Sequence, residues 1–215
     1  MTSHYFLRKA THADIPALSD LHRAALLELA EEHYTARQVE GFLAEFRTVD
    51  PDLIADGTYF VIEHEGRIAA SGGWTTRMPA YARGVATRPQ ANHACATMRA
   101  IFTAPDHARR GLARRIMSIA EDQAVVLGMA ERLELGATLS GLSLYARLGY
   151  CPTSATTVRL GNGETFSWIN MAKTVWTGSM TDETEALSGY NPRAQGVLQI
   201  PEARWFERPR SREAA

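Results

Sequence analysis

The chain has 215 residues, of which 45% are hydrophobic and 22% charged, a composition ordinary for globular proteins and suited to a single core with an appendage. A formal net charge of -1 argues against the broad basic face that nucleic-acid binding requires. No stretch approaches the ~20 apolar residues of a membrane span and the start carries no signal-peptide pattern, so a soluble cytoplasmic protein is expected, with Cys95 and Cys151 as reduced thiols.

Tyr5 to Lys9 reads as an opening strand. Thr11 to Asp14 is a capping-box-like helix start, after which Ile15, Leu18, Leu21, Ala25 and Leu29 recur at helical spacing. A second start, Thr35 with Gln38, leads into Val39, Phe42, Leu43 and Phe46 on one helical face. Tyr59 to His64 and Arg67 to Trp74 are β-rich runs joined by Glu65-Gly66, the pattern of a tight hairpin. From Arg77 to Ala94 periodicity is lost, which predicts a long loop, either functional or a surface excursion.

Ala96 to Thr103 is expected as a strand, and Leu112 to Leu127 as a helix stopped by Gly128. Arg132 to Ala137 alternates as a strand, Leu139 to Leu148 is a short helix closed by Gly149, and two strands flank Asn162-Gly163. The folded domain is thus placed at residues 1–176. Residues 177–215 form a tail of mixed charge, disordered or docked on a partner subunit.

The chemistry concentrates between Ile101 and Arg114, where a strand turns through Arg109-Arg110-Gly111 directly into a helix. A helix N-terminus offers unpaired amides and partial positive charge to an anion. Gly111 permits close backbone approach, and Arg109, Arg110 and Arg114 add charge suited to a pyrophosphate or a ribose phosphate. Neither a Walker loop nor a dinucleotide-binding glycine triplet is present, which disfavours nucleotide hydrolysis and nicotinamide chemistry. The histidines are scattered, and His93 with Cys95 lacks the further ligands of a zinc site.

The order of elements and the run from Met98 to Tyr150 resemble the GNAT superfamily of acyl-CoA-dependent N-acyltransferases. Ala108-Arg-Arg-Gly-Leu-Ala113 is similar to that family's pyrophosphate loop, departing from it at Ala108, where the family has Gln or Arg. Leu144-Tyr-Ala-Arg-Leu-Gly-Tyr150 is similar to its late helix, whose tyrosine protonates the departing thiolate. The resemblance implies an α/β GNAT-like fold: a mixed central sheet with splayed fourth and fifth strands and helices on both faces.

It further implies acetyl-CoA or another acyl-CoA as cofactor, held by Ile101, Phe102, Thr103, Arg109, Arg110, Gly111, Leu112, Ala113, Arg114 and Thr138. A free backbone N–H near Phe102 would polarise the thioester, with Tyr145 as the acid. No motif fixes a general base. Glu134, opposite Leu133 and Leu135 by strand alternation, is the first candidate and His93 the second, while Trp74, Tyr81 and Arg83 are candidates for the acceptor pocket. The expected partner is a small-molecule or peptide amine, with a homodimer as a further option. A non-catalytic acyl-CoA-binding module is the alternative function.

Overall fold

The computed structural model of the chain describes residues 4–77 and 95–175, so the expectations for residues 78–94 and for the tail lie outside the described residues. In chain order the elements are β1 (Phe6–Lys9), α1 (Ile15–Leu29), α2 (Ala36–Glu45), α3 (Pro51–Ala55), β2 (Tyr59–His64), β3 (Arg67–Thr75) and β4 (Cys95–Thr103). After them come α4 (Leu112–Val126), β5 (Arg132–Ala137), α5 (Leu142–Arg147), β6 (Cys151–Arg159) and β7 (Thr165–Thr174).

Local chemistry explains most boundaries. The Asp14 carboxylate accepts from the Thr11 backbone N–H at 2.7 Å, and Thr35 and Gln38 cap α2 reciprocally. Glu65 (φ +50) and Gly66 (φ +76) both adopt the left-handed conformation that a two-residue hairpin turn needs. The short helix α3 has no counterpart in the sequence reading; Asp50 caps it, accepting from the Asp52 N–H at 3.1 Å, and Pro51 starts it.

Gly128 does not stop α4 by adopting a left-handed φ. That conformation falls on Met129 (φ +52), and glycine is required at 128 for space: a Cβ there would lie 2.6 Å from the Ala124 carbonyl oxygen and 2.6 Å from the Trp74 ring.

The seven strands form one mixed sheet in the order β1-β2-β3-β4-β5-β7-β6. Alternation along β2 sends Phe60 and Ile62 to one face, where Ile116, Met117 and Ala120 of α4 cover them, and Tyr59 and Val61 to the other, under Leu18 of α1 and Leu53 and Ile54 of α3. A third cluster joins the end of α1 to α2 and β7 through Leu26, Tyr34, Val39 and Phe166. Helices therefore lie on both faces, as expected.

β4 and β5 are the parallel pair, and they pair only at their starts: Cys95 with Arg132, Ala96 with Leu133 and Thr97 with Glu134. Beyond Thr97 the strands diverge. On its other edge β4 carries an extra residue, because Ser71 pairs with Phe102 but Gly73 with Arg99. Ala100, inside this bulge, has φ +55, a strained value for a residue with a Cβ. Gly72 of β3 faces the bulge, and a Cβ there would collide with the Ile101 and Ile116 side chains. Cys151 is exposed and Cys95 half-buried.

Candidate active site

The gap between the diverging halves of β4 and β5 opens into a cleft of about 570 Å³. One wall is the turn into α4. Arg109 (φ +62) and Gly111 (φ +79) reverse the backbone, and the first helical bond runs from the Arg115 N–H to the Gly111 carbonyl at 3.1 Å. The amides of Leu112, Ala113 and Arg114 thus precede the first intrahelical bond, and they line the cleft with Arg109 and Gly111. At Gly111 an added Cβ would meet no protein atom within 4 Å. Its glycine is explained by φ and by the open cleft, not by packing.

The floor is Ile101, Phe102 and Thr103 of β4, and the far wall is Thr138 with α5. Tyr145 stands there, only 8% exposed. Burial pushes its phenol well above the ordinary range, so it keeps its proton at neutral pH. Its position depends on Gly141, where a Cβ would lie 2.8 Å from the Tyr145 ring. Ser140, Ser143 and Arg147, and the α1 residues Ala25, Leu26 and Leu29, also line the cleft, and sequence reasoning did not single them out. Arg147 sits inside the Tyr-x-x-x-Gly run that marked Tyr145, the one signal that pointed to it.

Of the twelve expected catalytic and cofactor residues, two stand apart from this cleft. Arg110 donates to the Tyr5 hydroxyl and to the Asp106 carbonyl, each at 3.1 Å, so it braces the turn from behind. Glu134 is ion-paired with Arg132 at 2.8 Å, in the paired half of β5 and outside the cleft. Trp74 is also displaced from its expected role: it is buried in the core under Gly128. Tyr81, Arg83 and His93 lie outside the described residues.

Adjoining the cleft is a smaller pocket of about 130 Å³, walled by Phe42, Phe46, Phe102, Phe166 and Trp168. Leu26, Phe102 and Thr138 line both cavities, so the two meet at the opening between β4 and β5. Phe102 is held from behind by His22, stacked at 4.1 Å between ring centroids. The fully buried His22 shares Nε2 contacts with Ser71 (3.0 Å) and Tyr59 (3.2 Å), and Ser71 in turn donates to the Ala100 carbonyl at 3.2 Å. Ser71 thereby fastens the bulge of β4 to β3 with the buried His22 imidazole behind it, and desolvation drops the imidazole's pKa to about 3. Sequence reading missed it because a lone histidine on an apolar helical face carries no motif.

Comparison with known proteins decides the family. Residues 18–150 match the model of the Acetyltransferase (GNAT) family. The chain belongs to the GNAT family. A GCN5-related N-acetyltransferase from Rhodopseudomonas palustris shares the fold with a TM-score of 0.60 at 18% identity, covering 81% of this chain and 99% of that one. The paiA N-acetyltransferase of Thermoplasma acidophilum, solved in complex with coenzyme A, gives 0.56 at 12% identity over 80% and 99%. A GCN5-related N-acetyltransferase from Ralstonia eutropha JMP134 is 26% identical, with a TM-score of 0.51 over 70% and 95%. Comparison with curated proteins gives no match.

The chain is accordingly an acyl-CoA-dependent acetyltransferase with the GNAT fold. The residues present fit its cofactor: unpaired turn amides and arginines suit a pyrophosphate, and the free edges of diverging strands suit an arm that carries its own amides. No helix among the described residues is long and apolar enough to cross a membrane.

Proposed function

We propose that the chain transfers an acetyl or other short acyl group directly from acyl-CoA to a primary amine. The observation that carries this is the convergence, on one cleft, of the α4 amides, the unpaired half of β4, Thr138 and a protonated Tyr145. In this reading Arg109, Arg114 and the amides from Gly111 to Arg114 hold the pyrophosphate, with Leu112 and Ala113 contributing backbone only. Ile101, Phe102, Thr103 and Thr138 align the arm that ends in the thioester.

The acceptor amine loses a proton to water and attacks the acyl carbonyl, whose oxygen takes a hydrogen bond from a free β4 amide near Phe102. As the C–N bond forms and the C–S bond breaks, the tetrahedral nitrogen gives up its extra proton. Tyr145 donates a proton to the thiolate and is reprotonated from solvent, so one proton is released per turnover. Glu134 lines neither cavity, so in this reading it takes no part in the proton path and water is the acceptor. Arg110 acts through the turn it braces.

The test is thiol release from acetyl-CoA across a panel of amines, beside calorimetry of acetyl-CoA binding to the purified chain. Binding with turnover on at least one amine is expected. Absence of acetyl-CoA binding sinks the proposal, and binding without turnover on any amine, peptide or protein terminus returns the chain to a binding module.

A further inference from the structure

Resting on the acyltransferase reading, we propose that the aromatic pocket adjoining the cofactor cleft takes the acceptor's side chain, and that the acceptor is a small aromatic amine bearing a carboxylate, such as a free aromatic amino acid. Size and lining favour a ring. The pocket's volume of about 130 Å³ is close to that of dry protein cavities known to hold benzene. Its walls offer edge and face contacts from Phe42, Phe46, Phe166 and Trp168, already mutually arranged: Phe42 stacks on Phe46 at 4.9 Å and on Phe166 at 4.3 Å, and Phe46 meets Trp168 edge-on at 6.4 Å. A preformed aromatic wall binds a flat apolar group without first having to be ordered.

Charge decides the rest. Among the described lining residues there is no Asp or Glu, whereas Arg47 and Arg99 both line the pocket. The Arg99 guanidinium, 10% exposed, is ion-paired with Asp50 and so largely neutralised. Arg47 is exposed and has no ion pair or hydrogen bond among the described residues. A polycationic amine would therefore meet uncompensated positive charge and no counter-ion, while an anionic group would find a guanidinium suited to a carboxylate. With the ring among the phenylalanines and the carboxylate on Arg47, the amine is left to approach the seam at Phe102 and Thr138, where the two cavities meet.

Initial rates of thiol release with acetyl-CoA, measured for phenylalanine, phenethylamine, alanine and spermidine, separate the elements of the proposal. Phenylalanine should show the highest kcat/KM, about tenfold or more above alanine, which lacks the ring, and above phenethylamine, which lacks the carboxylate. Spermidine should be the poorest. Arg47→Gln should lower kcat/KM for phenylalanine about tenfold more than for phenethylamine. Calorimetry of phenylalanine with the full chain gives a readout independent of turnover: binding weakened by Arg47→Gln is expected. A flat or spermidine-led profile, an equal effect of Arg47→Gln on both ring amines, or no phenylalanine binding overturns the proposal while leaving the acyltransferase reading intact. Loss of acetyl-CoA binding in the unmodified chain instead removes that reading.

Discussion

The two sides of the gap between β4 and β5 are built from different material. On the side proposed to hold the cofactor the lining groups are largely backbone: amides at the start of α4, a left-handed Gly111 and the unpaired edge of a bulged strand. On the other side they are side chains, a shell of phenylalanines and a tryptophan brought from α2, β4 and β7, with two arginines. Backbone recognition suits a ligand that stays the same, because it depends on conformation and tolerates sequence change. A side-chain wall is the part that can be altered to select an acceptor without disturbing the cradle.

Substitutions that act on one side alone bring this division out. Tyr145→Phe should have the largest effect, lowering kcat by about 10² to 10⁴, the range expected for a lost general acid, with acetyl-CoA affinity nearly unchanged. Stopped-flow and calorimetry read the two quantities separately, and unimpaired turnover would remove the tyrosine from the mechanism.

Acidification comes next and tests the seam between the sides. His22 is neutral in the fold, with its pKa at about 3 against an ordinary 6.5, so between those values the unfolded chain binds a proton the native chain does not. Stability is complete above pH 6.5 and declines as pH falls toward 3, by at most ~1.4 kcal/mol per pH unit from this group. Asp14, held at about 2 by its hydrogen bonds to Arg8, contributes a further loss below its ordinary 3.8. Urea midpoints at pH 7 and pH 5 in wild type and His22→Gln should diverge, and identical pH dependence would count against the buried network.

On the cofactor side again, Gly111→Ala should destabilise the protein by about 1 kcal/mol from its positive φ and weaken acetyl-CoA binding, with no change in acceptor preference. Across the gap, Phe46→Leu should raise the acceptor KM by about tenfold and leave the acetyl-CoA affinity alone. Were it to weaken acetyl-CoA binding equally, the two sides would not be separable. Glu134→Gln should matter least. Breaking a half-exposed pair with Arg132 is worth about 0 to 1 kcal/mol, and a shifted acid limb in the pH–rate profile would be needed to restore the glutamate as base.

What could be read in advance follows the same division. Thr35 with Gln38, Glu65-Gly66, Arg109-Arg110-Gly111 and the Tyr145 run are local signals, since each names a backbone conformation or a helix end within a few residues of itself. They were enough to place the strands, the turn into α4 and the tyrosine, and the family resemblance supplied the splay of β4 from β5. Gly128 shows the limit: its position at a helix end was legible, but its reason is the Trp74 ring, 54 positions earlier in the numbering.

By itself, then, the sequence determined where backbone conformations change and which turn could cradle a phosphate, because those depend on neighbours along the chain. The tertiary structure alone decided that Arg110 binds Tyr5 and the Asp106 carbonyl, that Glu134 lies outside the cleft, and that His22 of α1 backs the Ser71 bond to the bulge. It also brought Phe42, Phe102, Phe166 and Trp168 around one pocket. Contacts between residues this far apart in sequence depend on how the helices pack across the sheet, and no local pattern of residue types records that packing.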